Sequence, residues 1–350
     1  MMWIRRLVSF AIVLTMVVIV LGAYTRLTDA GLGCPDWPGC YGFLQVPQDH
    51  HAEIAASRFP ERPLEPHKAR NEMVHRYFAG TLGLVIAGIF LLSCRQHRKV
   101  QLLPASLLLL VVFQAALGMW TVTLNLFPLV VMGHLLGGFT LLTLLWLYHR
   151  QLKPDDSVVA VVPQRLRRAG TLACLMLVGQ IALGGWTSAN YAALACVELP
   201  LCHSGWTSQL RIAEAFDLHL GHDNYEFGVM SKEARQTIHV SHRLGAILTL
   251  LVVGFFAWQL WRFSRRLPMS EARLHRRQAQ WVLLLLLLQF CLGVLNIWWL
   301  LPLPNAVAHN FVAANLLAVT VLARYGLRQQ RQAPVTDAAT KYFSSDRSPA

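Results

Sequence analysis

The sequence predicts an all-α integral membrane protein of eight transmembrane helices, arranged as two pseudo-symmetric four-helix bundles in parallel tandem. Three observations carry this. The 350 residues are 55% hydrophobic and only 14% charged, with a mean hydropathy of +0.43, whereas soluble chains carry about a quarter of their residues charged. The apolar residues fall in blocks of about 20, the helical length that crosses a bilayer core. The chain also repeats itself. Leu21-Gly22-Ala23-Tyr24-Thr25, followed by Cys34, Pro38 and Cys40, returns 162 positions later as Leu183-Gly184-Gly185-Trp186-Thr187, followed by Cys196, Pro200 and Cys202. Glu72-Met73-Val74-His75-Arg76 is echoed by His239-Val240-Ser241-His242-Arg243, and Gln114 and Gln289 each precede a histidine, His134 and His309, by 20 residues. Such self-similarity marks one scaffold used twice.

The first predicted span, about 7–24, follows Arg5 and Arg6 and so has the outline of a signal peptide. Its counterpart in the second copy is an internal span, and Ala23-Tyr24-Thr25 lacks a small-x-small cleavage pattern, so it reads as a retained helix. Spans at 73–93, 102–123 and 129–148 complete a first half, 1–150. The polar stretch 151–168, with Pro154, Asp155, Asp156 and Pro163, reads as a cytoplasmic linker. The second half, 169–332, holds spans at 169–188, 237–261, 280–300 and 305–323. The tail, 333–350, lacks apolar periodicity and reads as disordered. Four spans per half is an even number, so both halves enter the membrane in the same sense, as parallel repeats do.

Two long polar loops, 26–71 and 189–236, fall on one side. Most of the 31 Lys and Arg fall on the other, among them Arg95, Arg98, Arg150, Arg167, Arg265 and Arg276. The bias of basic residues toward cytoplasmic loops then places both termini in the cytoplasm and the long loops on the periplasmic face of a plasma (inner) membrane. The net charge of +13 is thus a topology signal, not a nucleic-acid footprint.

Of the seven cysteines, Cys34 and Cys40 lie in the first long loop and Cys196 and Cys202 in the second. That face is oxidising and lets a disulfide persist. Two readings stand: staples closing short loops, or a redox-active pair beside an electron-transfer site. Zinc is disfavoured, because five intervening residues exceed the usual spacing of two to four. Cys94, Cys174 and Cys291 sit in or beside apolar spans and read as packing residues.

Of the fourteen histidines, His97, His149 and His275 lie among cytoplasmic arginines. His50, His51, His67, His203, His219 and His222 lie in the outer loops; a metal at His219 and His222 is weaker than simple solvation there. His75, His134, His242 and His309 differ. They fall in four different spans, roughly 5–8 Å below the outer surface at 1.5 Å rise per residue, two per half. Ionisable residues inside a membrane are functional candidates by default. Two imidazoles from facing helices can clamp a haem iron from both sides, whereas zinc wants three or four ligands. Arg76 and Arg243 follow the ligand candidates and can pair with haem propionates or snorkel to the headgroups. The halves differ at one telling place. Glu72 shares a helix face with His75 at i, i+3, and His239 stands where Glu72 would be repeated. A carboxylate beside a porphyrin pocket can take a proton or stabilise a cation; the alternative is a solvated helix-start carboxylate.

With these residues in view, the chain resembles the haem A synthase family over nearly its whole length. The motifs that carry the resemblance are the outer cysteine pair after a Leu-Gly-x-aromatic-Thr run, Glu72-x-x-His75-Arg76, His134, His242-Arg243 and His309. The resemblance implies an oxidoreductase that converts a ring methyl of haem O to the formyl of haem A for terminal oxidases. It implies that His75 and His134 bracket the substrate haem, that His242 and His309 ligate a resident haem b, that Glu72 is catalytic, and that Cys34 and Cys40 are redox-active. A second pair at Cys196 and Cys202 suits a shared structural role instead. Iron held by two histidines has no open position for oxygen, so stepwise oxidation at the ring edge, with Glu72 taking a proton and water supplying oxygen, is the expected chemistry. The reaction needs an electron acceptor, haem O delivery from a haem O synthase is expected, and a homo-oligomer is left open. Two rival readings are a dihaem b-type electron-transfer cytochrome without a substrate haem, and a haem-free transporter.

Overall fold

The computed structural model describes residues 2–153, 162–200, 202 and 205–327, and among these the chain is helical with no strands. Eight helices are long and apolar enough to cross a membrane. They are α1 (Met2–Leu27), α3 (Pro66–His97), α4 (Leu102–Thr123), α5 (Pro128–Gln151), α6 (Gln164–Ala189), α8 (Lys232–Ser264), α9 (Met269–Trp298) and α10 (Leu303–Gly326). Two short helices, α2 (Ala52–Arg58) and α7 (Ile212–Ala215), and two 3₁₀ turns lie in the long loops.

Local chemistry sets the helix ends. Proline opens α3, α5 and α10, where its missing N–H costs nothing. Ser231 caps α8 by accepting the Ala234 N–H at 3.1 Å. Asn125 and Leu126 turn α4 into α5, and Leu300 and Leu301 turn α9 into α10, all four with positive φ. A back-bond over each turn closes it, Leu126 N–H to Thr121 O and Leu301 N–H to Asn296 O.

The helices are longer than the apolar blocks. α3 begins at Pro66 rather than 73, α8 at Lys232 rather than 237, and α9 at Met269 rather than 280. Hydropathy marks only the lipid-matched part of a helix, and these helices run on past it as polar turns. α9 stops at Trp298, short of the expected 300. The linker narrows between Gln151 and Gln164, and its residues 154–161, the tail 333–350 and His203 lie outside the described residues.

α1, α3, α4 and α5 touch in a ring, as do α6, α8, α9 and α10; α1–α10, α5–α10 and α5–α6 join the two. One apolar core runs through both, including Val8, Ile86, Leu107, Leu142, Ala173, Val253, Val282 and Leu316. α10 is the most buried span (44%) and α4 and α9 the least (17%), so α10 is central while α4 and α9 face lipid with Leu109, Val112, Leu284 and Leu287.

Candidate functional site

The first cysteine loop is built onto the start of α3. Cys34 and Cys40 form a disulfide with Cα atoms 4.8 Å apart. Gly33 lets the loop press on the helix, because a Cβ there would meet the Lys68 backbone at 2.6 Å. Asp36 accepts the N–H groups of Tyr41 and Gly42 at 2.6 and 2.8 Å, and buried Tyr41 donates its hydroxyl to Pro63 O at 3.0 Å. Burial pushes the Tyr41 phenol pKa up, so this anchor stays protonated across the neutral range.

Glu72 lies under this loop and is 5% exposed. One carboxylate oxygen accepts the Cys34 N–H at 2.8 Å, and the other pairs with Arg76 one turn along α3. Arg76 also donates to Asp36 O at 2.9 Å, Gly39 O at 2.5 Å and Pro38 O at 3.3 Å. Glu72 is therefore not a solvated helix-start carboxylate. It is a buried carboxyl group with defined partners. Arg243 treats the second loop likewise, donating to Cys196 O, to Glu198 O at 2.7 Å and to Pro200 O at 3.4 Å; Cys196 and Cys202 are bridged with Cα atoms 5.3 Å apart. Short Pro-containing loops leave carbonyls without backbone partners, and guanidinium offers five donors to satisfy them. His239, at the place of Glu72, is 4% exposed with its Nδ1 unpartnered.

His75 on α3 and His134 on α5 face each other with ring centroids 6.5 Å apart and planes at 81°. Two imidazoles binding one iron from opposite sides need roughly 6.3 Å, given about 2 Å per iron–nitrogen bond and about 1.2 Å from nitrogen to ring centre. The pair fits a haem clamp. His242 lies on α8 and His309 on α10. Among the described residues no three His, Cys, Asp or Glu converge on one point.

Each histidine leans on a glycine of the preceding spanning helix. A Cβ at Gly22 would stand 2.9 Å from His75 Cε1, at Gly118 3.5 Å from His134, at Gly184 3.0 Å from His242, and at Gly293 3.2 Å from His309. The Nδ1 atoms of His75, His134 and His309 are buried without partners. Gln180 Nε2 lies 3.0 Å from His242 Nδ1, and Gln289 Nε2 3.1 Å from His309 Nε2. Gly22 and Gly184 were visible in the repeated Leu-Gly runs, whereas Gly118 and Gly293 were not singled out. Gln180 was not, because it meets a residue 62 positions away.

The other histidines stay apart from these pairs. His50 and His51 stack at 3.9 Å in the first loop, His67 and His97 are exposed, and His149 lies against Trp146. His219 contacts Asp217 O and His222 packs on Tyr225. His275 is buried against Phe263 and Gln278.

A family model described as cytochrome oxidase assembly protein matches residues 5–321. A Shewanella oneidensis protein named heme A synthase is 46% identical over 324 residues, 92% of this chain and 96% of its own. The chain belongs to the haem A synthase family. Heme A synthases of Mesorhizobium japonicum (28% identical; 89% of this chain, 85% of theirs) and of a Chelativorans species (27%; 90% and 88%) are also similar. Membership in this multi-pass membrane family agrees with the eight apolar helices.

Proposed function

We propose that this protein is a haem A synthase that oxidises a ring methyl of haem O to a formyl group. The observation that carries the reading is the juxtaposition of Glu72 with His75, three residues along the same helix face, and of His75 with His134 at clamp distance. In this reading His75 and His134 hold the substrate haem. His242 and His309 would hold a resident haem b, which supplies one-electron transfer when bound. Arg76 and Arg243 fasten the two cysteine loops and would be the residues to pair with the propionates of haems held beside them.

The reaction balances without oxygen gas. A methyl and one water give a hydroxymethyl, two electrons and two protons. A second water and a second loss of two electrons and two protons give the hydrated aldehyde, which loses water to become the formyl. The electrons pass to an acceptor outside the pocket. Glu72 would be the proton-accepting group: its buried carboxyl, held by Arg76 and the Cys34 N–H, would take the proton and favour the cation left when electrons leave the methyl. The cysteine loops and their disulfides sit at the periplasmic face, with both termini in the cytoplasm.

Chromatography of haems extracted from the purified protein tests the reading. Haem O or haem A alongside haem b is the expected result; haem b alone overturns it in favour of an electron-transfer cytochrome, and no haem in favour of a transporter. Glu72→Gln keeps the shape and removes the charge, and should bind haem O while slowing conversion on the order of 10²-fold or more, the usual worth of a positioned base. Conversion at the wild-type rate would remove Glu72 from the mechanism. Formyl oxygen labelled from oxygen gas rather than from water would remove the water step.

A further inference from the structure

The four histidine seats are not equal. Three have a glutamine one turn before the glycine that the ring leans on: Gln114 before Gly118, Gln180 before Gly184 and Gln289 before Gly293. Residues four apart share a helix face, so each glutamine is carried toward the same imidazole as its glycine. At the fourth seat Val18 stands before Gly22. A second difference travels with the first. The Gln180 amide fills room left by Gly245, three residues after His242, where a Cβ would come within 2.3 Å of Oε1. Three residues after His75 the chain has Phe78 instead. The first seat thus lacks both the glutamine and the space that receives it.

Only Gln180 grips the back of a ring. Its Nε2 lies 3.0 Å from His242 Nδ1 and donates to His242 O at 2.9 Å, so one side chain ties the ring to its own backbone. Gln289 reaches the other ring nitrogen of its histidine, and Gln114 Nε2 has no partner. The Gln180 Oε1 is buried and unpartnered. An amide offers hydrogens on one side and an oxygen on the other. By a half-turn that oxygen can meet a proton on Nδ1, the nitrogen left over when Nε2 is a ligand. The Nδ1 atoms of His75, His134 and His309 have no side-chain partner, and the His75 ring is met by the Val18 backbone instead of by a side chain. Partners on the far nitrogen fix ring orientation and raise ligand strength.

We propose that Gln180 is a positioning residue that locks His242 onto a permanently held haem, and that Val18 and Phe78, by omitting this grip, keep His75 a releasable ligand. A substrate haem must enter and its product must leave, whereas a resident haem must do neither. The inference rests on the assignment of His75 and His134 to the substrate and of His242 and His309 to the resident haem.

The test uses the purified full-length protein with its haems bound. Haem loss to excess apomyoglobin is followed by absorbance, and the low-spin ferric signal and reduction potential are recorded. Gln180→Val, which copies the residue at position 18, should speed loss of the resident haem by about tenfold or more, the usual effect of removing a ligand's hydrogen-bond partner, and should shift the low-spin signal. Gln180→Glu retains size and an acceptor. It should restore slow loss and lower the reduction potential, because a carboxylate on Nδ1 favours ferric iron; packing alone predicts no such shift. The reciprocal Val18→Gln/Phe78→Gly variant should slow release of product haem. A Gln180→Val protein with wild-type haem loss and an unchanged low-spin signal overturns the proposal. His242→Ala separates the two layers: if it removes the resident haem while Gln180→Val behaves as wild type, the proposal alone fails, and if it leaves that haem in place, the site assignment fails and the proposal with it.

Discussion

At the scale of single residues, the site depends on atoms that are absent. Gly22 has no side chain, and the His75 ring occupies the room; a Cβ would stand 2.9 Å from Cε1. Gly22→Ala should therefore cut haem affinity at the first site about tenfold, read as the haem O retained per protein after purification. Gly80→Ala is the control: nothing lies within 4 Å of a Cβ there, and alanine in a helix interior gains up to about 1 kcal/mol over glycine. Equal haem content in the two variants would mean that the glycine does not set the ring. Glu72 shows the opposite dependence, on groups added around it. Its carboxyl group is held in a buried place by one guanidinium and one backbone N–H, partners that come from its own helix and from a loop closed by a disulfide.

At the scale of elements, the two cysteine loops are fastened alike but face different groups. Both are bridged and both are held by an arginine on the helix that follows. Among the described residues only the first also hydrogen-bonds a carboxylate of the helix that follows it. Closing a loop this short restrains the unfolded chain by about 2–3 kcal/mol. Cys34→Ser/Cys40→Ser and Cys196→Ser/Cys202→Ser should thus lose similar thermal stability, while the first pair alone lowers the rate of haem A formation, because the Cys34 N–H drifts from Glu72. Equal loss of rate in both would detach the loop from the carboxylate. The eight helices were legible in the sequence because each is a long apolar block, and the four histidines because they interrupt those blocks at repeated places. The loop fold was not. It has no period, and its order comes from Asp36, Tyr41 and Arg76 meeting across up to 40 positions. Gln180 escaped for the same reason: Gln114 and Gln289 stand at a fixed spacing before histidines, while Gln180 meets His242 across a loop.

At the scale of the whole molecule, the two rings of helices share more than a greasy seam. Arg26, at the end of α1, donates to Ser188 O at 2.7 Å at the end of α6 and lies 4.1 Å over the Tyr191 ring. Asn125, in the turn between α4 and α5, ties both long loops to one point. Its side-chain oxygen accepts from Arg62 of the first loop at 2.5 Å, its side-chain nitrogen donates to Asp223 O of the second at 2.7 Å, and its carbonyl accepts the Tyr225 N–H at 3.1 Å. Asparagine also suits the φ of 48° found there, which most side chains resist. In the proposed function electrons would pass between two bound haems, so a joint that fixes one loop against the other would bear on it. Asn125→Ala deletes both side-chain bonds, each worth about 1 kcal/mol with more for the charged partner, and keeps the strained backbone. The expected outcome is that protease sites in the two loops open together, with Glu53 in α2 and Lys232 at the start of α8 as markers, while the helices stay intact by circular dichroism. If only the first loop opens, Arg62 alone depended on the joint, and the two loops are held independently.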